Sequence, residues 1–188
     1  MALFAPAVVF GQVAVLTSGG FAAAYQEVIP AFEKASGLKV TTTRGASQGS
    51  GPTTIPSQIR NGAAIDVVIM SKEGLNELVA EGKIVPGSVV DLAETPLGVG
   101  VRAGTTHPDI RTVEAFKQTL LRAKSVELVS TTGVYMTETL LPKLGIAKEV
   151  AAKATPSAIE AVAKGEVELA IRPMSELVNV PGVDYVGP

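Results

Sequence analysis

Ser18, Ser47, Thr131 and Thr132 are the residues whose type and placement best suit a chemical task. Each lies in a turn that follows an apolar, strand-like run. Val13-Ala14-Val15-Leu16 leads into Thr17-Ser18-Gly19-Gly20, Val40-Thr41-Thr42-Thr43 into Arg44-Gly45-Ala46-Ser47, and Val126-Glu127-Leu128-Val129 into Ser130-Thr131-Thr132-Gly133. A helix-like segment follows each. A helix N-terminus exposes unpaired N–H groups and a partial positive charge, hydroxyls add short donors, and glycine such as Gly19 lets an anion approach the backbone. Ser and Thr are also ordinary helix caps, so one such turn says little. Three in one chain point to a pocket for a small oxyanion or carboxylate.

Arg44 and Arg172 each directly follow a predicted strand, where a guanidinium can offer a bidentate fork to a carboxylate. The same position equally suits a surface arginine lying over a sheet edge. Tyr135 stands just after the third turn, and Tyr25 reads as a core residue. No residue is marked out as catalytic. The single histidine, His107, sits in the surface-turn run Gly104-Thr105-Thr106-His107-Pro108-Asp109, and there is no cysteine, so multi-histidine zinc and thiolate sites are excluded. The glycine-rich stretch around Ser47 lacks the Gly-Lys-Ser/Thr ending of a phosphate loop, and no G-x-G-x-x-G joins a strand to a helix. No cofactor or metal is expected.

The elements that must position these residues are legible along 188 residues, of which 46% are hydrophobic and 18% charged, enough for a real core. A net charge of −2, no basic run and 4% aromatics argue against nucleic acid as a partner. Phe21, Tyr25, Val28, Ile29 and Phe32 recur at helical spacing up to Gly37, with Pro30 predicting a kink or restart. Asp66–Met70 reads as a buried strand, and Ser71 caps a helix that turns Leu75, Leu78 and Val79 inward and stops at Gly82. Val89–Leu92 and Leu97–Arg102 read as two strands with no helix between them, which marks a crossover. A second series follows: a helix carrying Val113, Phe116, Leu120 and Leu121, a strand Ser125–Val129, and a helix Val134–Leu144. Thr155-Pro156 reads as the cap and first residue of a helix to Lys164. Strands Val167–Ile171 and Val183–Val186, with a short helix between, close the chain. Alternation of strands and helices predicts an α/β fold with mostly parallel sheets and a ligand at strand carboxyl ends.

Leu16-Thr17-Ser18-Gly19-Gly20, Ala35-Ser36-Gly37-Leu38-Lys39-Val40 and Ile59–Ile69, with Thr132-Gly133-Val134-Tyr135 and Leu144-Gly145-Ile146, together resemble type 2 periplasmic substrate-binding proteins, nearest the molybdate-binding branch of ABC importers. The resemblance covers nearly the whole chain from Val13. It implies two α/β lobes clamping a ligand, with residues 13–92 as the first lobe and 93–188 as crossover strand and second lobe. It matches Ser18 and Ser47 to hydroxyl ligands of the first lobe, and Thr132 and Thr155 to backbone donors of the second. It implies an ABC-importer permease as partner and a periplasmic location. The apolar run from Met1 to Gln12 reads as the end of a secretory signal without its basic start, or as a first strand. Where that branch has a tyrosine, Arg172-Pro173 stands here, which tilts the ligand from molybdate towards a carboxylate. Family members continue beyond a segment like Pro181–Tyr185 and return to complete the first lobe. The resemblance therefore implies that the C-terminal part of that lobe is missing, leaving an apolar face for a partner or a dimer, or that the chain is trimmed. An enzyme, aconitate isomerase, resembles the same branch and moves a proton within a tricarboxylate. Tyr135, Glu138 or a turn hydroxyl are the groups that could serve it as base.

Overall fold

The continuous apolar run Val13–Leu16 makes Gln12–Thr17 a strand, β1, and the β-branched run within Lys39–Arg44 makes a second, β2. In the computed structural model, which describes residues 11–49 and 51–187, these pair in parallel with Val67–Ile69, β3, in the order β2-β1-β3. The signal-remnant reading falls almost wholly on residues 1–10, outside the described residues; Gln12 opens β1.

Helix α1, Ala22–Ser36, returns the chain from β1 to β2 and ends at Gly37, whose φ of 72° is the left-handed cap expected there. It crosses Pro30 without restarting, because Pro30 is exposed and the carbonyl it frees can face water. Tyr25 is buried and its Oη lies 2.9 Å from Thr42 Oγ1 on β2, so α1 covers one face of the sheet. Helices α2, Ile55–Arg60, and α3, Lys72–Ala80, cover the other, where Leu16, Ile55 and Leu78 form a fully buried core. Each such leucine or isoleucine contributes about 1.5–3 kcal/mol.

Part of the apolar surface of this first lobe lacks cover. Val28 is 55% exposed, Phe32 46%, Val79 43% and Val67 44%, so the helical and strand periodicities are right but only part of each apolar stripe meets a neighbour. β3 is a half-exposed edge rather than a buried strand. Val89–Leu92 is not a strand: it joins neither sheet, and Val90 is 70% exposed.

The second lobe carries the larger core. Its strands are β4, Leu97–Arg102; β5, Val126–Glu127; β6, Ala154–Thr155; β7, Leu169–Pro173; and β8, Val183–Val186. They lie in the order β6-β5-β7-β4-β8, with β5 parallel to β6 and β7, and β4 antiparallel to β7 and β8. Helix α4, Val113–Arg122, packs Leu120 against Val99, Val126, Met136 and Ile171 in one buried cluster. The fifth helix, α5, begins at Ser130 rather than Val134: Ser130–Tyr135 runs through a π-helical stretch, Met136–Leu140, into Leu141–Leu144, α6. A short helix α7, Ala147–Ala151, leads to β6, and α8 spans Ile159–Lys164.

Thr155-Pro156 does not cap α8. Thr155 ends β6, Ala158 is the residue before the helix, and the Thr155 hydroxyl shares a 2.8 Å bond with Ser157 Oγ. The tertiary pairing of β6 with β5 takes the residue that local preference assigned to the cap. Strand β7 is shifted two residues from expectation and includes Arg172 within it.

Candidate functional site

The carboxyl ends of β1, β3, β5 and β7 open on one cleft of about 1060 Å³ between the two lobes. Ser18, Gly19, Ser47, Thr131, Thr132, Tyr135 and Arg172 line it; Arg44 and Thr155 do not. Arg44 ends the outer strand β2 with its side chain in solvent, and Thr155 ends the outer strand β6 of the other sheet. For Arg44 the position at a strand end was legible and the position at the sheet margin was not; Thr155 was expected at a helix cap, and neither its strand nor its place at the margin was legible.

The three predicted turns take different forms. After β1, Ser18 is extended (φ −90°, ψ 170°) and precedes a single 3-10 turn, Gly19–Phe21, leading into α1. Its side chain makes no capping bond, and the first N–H groups of the turn have no carbonyl partner within it. Ser18 N–H donates to the Ile69 carbonyl at 2.9 Å, which fixes the turn to the end of β3.

After β2 comes a loop, as the glycine-rich run Gly45–Pro52 predicts, with the helix following only at Ile55, and Ser47 in that loop is 2% exposed. Ser47 Oγ accepts the Ser71 N–H at 3.0 Å, tying the loop to the start of α3. Ser71 accepts in turn from Gly74 N–H at 3.5 Å, the N-cap that local sequence predicted. A Cβ at Gly74 would fall on the Ser47 carbonyl, so this approach requires glycine.

After β5 the chain turns sharply. Ser130 has φ 57°, the one left-handed non-glycine conformation among the described residues, a strain of about 1–3 kcal/mol that clusters at functional sites. It swings extended Val129 into the helix whose first turn holds Thr131 and buried Thr132. One turn later the π-helical stretch carries Glu138 and Thr139 onto the cleft wall; such stretches are frequent at functional sites.

Arg172 reaches the cleft wall with its fork already engaged. Nε and NH2 donate to Glu127 Oε2 and Oε1 at 3.2 and 2.5 Å, and NH1 donates to Glu176 Oε2 at 3.1 Å. The expected free fork at the end of a strand is therefore not what the structure shows. Burial pushes the Glu127 carboxyl above the usual carboxylate range, opposed by its bonds to Arg172, and the Glu176 charge adds to the rise. Burial is the largest single influence on Arg172 and works against its charge, but the bonds and charges of Glu127 and Glu176 together raise the guanidinium further. The other cation of the cleft, Lys72, pairs with Asp91 at 2.8 Å in an exposed contact.

Sequence reading missed Ser71, Lys72, Thr95, Ser175 and Glu176 as cleft residues. Ser71 carried a usable signal, because it too follows a strand and opens a helix. Thr95 carried none: its Oγ1, on the segment that crosses between lobes, is the buried side-chain oxygen without a partner among the described residues. Ser175 Oγ donates to the Gly20 carbonyl at 2.7 Å and so joins the lobes.

The chain matches the family profile of bacterial extracellular solute-binding proteins over residues 13–188. It is 40% identical over 178 residues to an aconitate isomerase from Pseudomonas sp., an alignment covering 92% of this chain and 68% of that protein. The periplasmic molybdate-binding protein of Azotobacter vinelandii superposes with a TM-score of 0.67 at 20% identity, covering 94% of this chain and 77% of that one. A substrate-binding domain assigned to a molybdenum ABC transporter of Clostridium difficile gives 0.63 at 17% identity, covering 93% and 76%. At these identities the two structures bear on the fold alone.

Proposed function

Because the chain belongs to the bacterial extracellular solute-binding protein family, we propose that its interlobe cleft binds a small carboxylate or oxyanion in the periplasm and delivers it to the permease of an ABC importer. The observation that carries this reading is the convergence of Ser18, Ser47, Thr131 and Thr132, from turns of both lobes, on one cleft. Hydroxyls and unpaired N–H groups at helix starts replace the hydration shell of an anion, and closure of the lobes removes the remaining water. Ser18, Gly19, Ser47, Thr131, Thr132, Tyr135 and Arg172 are the residues assigned to contact.

A thermal-shift panel of molybdate, sulfate, phosphate and di- and tricarboxylates tests it. A ligand at about one hundred times its dissociation constant adds roughly 2.7 kcal/mol of stability. Absence of a shift with every anion would sink the reading.

The similarity to an aconitate isomerase favours a second reading, in which the bound ligand is an aconitate-like tricarboxylate and the cleft moves its proton. A base takes a proton from one carbon, the double bond shifts, and a proton is returned to another carbon, with no redox change and no cofactor. Tyr135 and Glu138 are the cleft-wall groups assigned to this transfer. Incubation of the bound tricarboxylate in D₂O, followed by proton NMR, separates the two readings. Isomerisation or deuterium uptake supports the enzyme, and binding without exchange supports the carrier.

A further inference from the structure

Two carboxylates share the guanidinium of Arg172. Glu127 is fully buried and takes Nε and NH2, whereas Glu176, 24% exposed, takes NH1 at 3.1 Å. With all three groups ionised the cluster carries an excess negative charge. Glu176 also crosses between the lobes. Its Oε1 lies over Gly19 in the first strand-end turn, 2.7 Å from where a Cβ on that glycine would stand. The adjacent Ser175 is bonded to Gly20 at 2.7 Å, so the backbone that carries Glu176 is fastened to the same turn. An anion arriving at Ser18-Gly19-Gly20 therefore meets a carboxylate already in place.

We propose that Glu176 is a resident competitor for a carboxylate of the ligand: it fills the space between Arg172 and Gly19, and the ligand enters by displacing it. This rests on the reading of the cleft as an anion site. On displacement Glu176 yields its ionic hydrogen bond at NH1, while Nε and NH2 stay with buried Glu127. The guanidinium then offers the ligand its NH1 edge rather than a fork. A ligand must replace Glu176 at that edge and also reach the hydroxyls of the strand-end turns. A polycarboxylate does both at once, so the exchange selects di- and tricarboxylates over a single compact oxyanion.

Calorimetric titration of the protein with trans-aconitate and with sulfate tests this in the unmodified chain, in Glu176→Gln and in Glu73→Gln. Glu73 lines the same cleft from the first turn of α3 and removes an equal charge without belonging to the Arg172 cluster. Glu176→Gln is expected to bind trans-aconitate at least tenfold more tightly, about 1.4 kcal/mol, with Glu73→Gln changing it by less than about threefold. Tighter binding by Glu176→Gln where the unmodified chain shows none supports the proposal equally. Unchanged or weaker binding by Glu176→Gln, or an equal gain in Glu73→Gln, overturns it and leaves the cleft reading intact. Binding of neither anion by any of the three proteins overturns the cleft reading and this inference with it.

Discussion

Replacing Arg172 with methionine removes the counterion of a carboxylate that has nowhere else to turn. The Glu127 side chain is 0% exposed, and its two hydrogen bonds among the described residues, at 3.2 and 2.5 Å, both come from Arg172. Breaking one side of a buried pair costs about 3–5 kcal/mol, chiefly because a charge is left buried and unpaired. Arg172 is itself only 16% exposed, so solvent screens little of this, and methionine replaces much of the apolar stem. The penalty has a pH signature. The folded Glu127 carboxyl already lies above its ordinary value through burial, and loss of Arg172 raises it further. Between the unfolded and folded values the folded state then holds more protons, so stability of the variant falls as pH rises through that window and returns as pH falls. Urea unfolding at about pH 8 and about pH 5 measures this, with Glu127→Met and the double variant completing a cycle. The double variant is expected to lose far less than Arg172→Met alone, since a buried pair replaced by apolar residues is often neutral. An Arg172→Met loss below about 1 kcal/mol, a loss independent of pH, or strict additivity in the cycle would refute the reasoning.

Gly74→Ala should destabilise, although alanine ordinarily improves a helix by about 1 kcal/mol, because its Cβ would meet the Ser47 carbonyl and lie 2.7 Å from Met70 Cε; a raised melting temperature would contradict the packing. Ser47→Ala leaves the Ser71 N–H without its 3.0 Å acceptor and is expected to lower stability by about 1–3 kcal/mol, and anion affinity with it, read by thermal melts and calorimetry. Glu33 accepts from Val40 N–H at 2.8 Å and Lys39 Nζ at 2.9 Å, and these bonds, the Val40 one foremost, hold its carboxyl below the ordinary range. Its contribution is present above the unfolded value and lost as pH falls through the folded one, so Glu33→Gln should flatten that part of the acid-unfolding curve; an NMR titration placing Glu33 at or above the ordinary value would contradict it.

The legible part of this protein is the part written within a few residues. Gly37, Gly82 and Gly165 each close a helix with positive φ because left-handed backbone is a local demand. Ser18, Ser47 and Thr131-Thr132, which line the cleft, stood out for the same reason, since a strand followed by small hydroxyl residues is a local pattern. The exposed stripe of Val28 and Phe32 shows the limit of periodicity: it states that a helix has an apolar face, not that another element covers it. Arg44 and Arg172 had the same local signature, and sheet order separated them. Arg44 ends a margin strand, whereas β7 lies between β5 and β4.

Register then decided what Arg172 does. Glu127 on β5 faces Ala170 on β7, and Arg172, two residues further, returns to the same face of the sheet. That places the guanidinium beside a carboxylate 45 residues earlier in the chain. The sequence by itself determined that turns of small hydroxyl residues stand at the ends of strands, because backbone and capping preferences act over a few residues. Only the tertiary structure decided that the fork of Arg172 is held by Glu127 and Glu176, because the partner of a buried charge is set by which strands are neighbours and in what register.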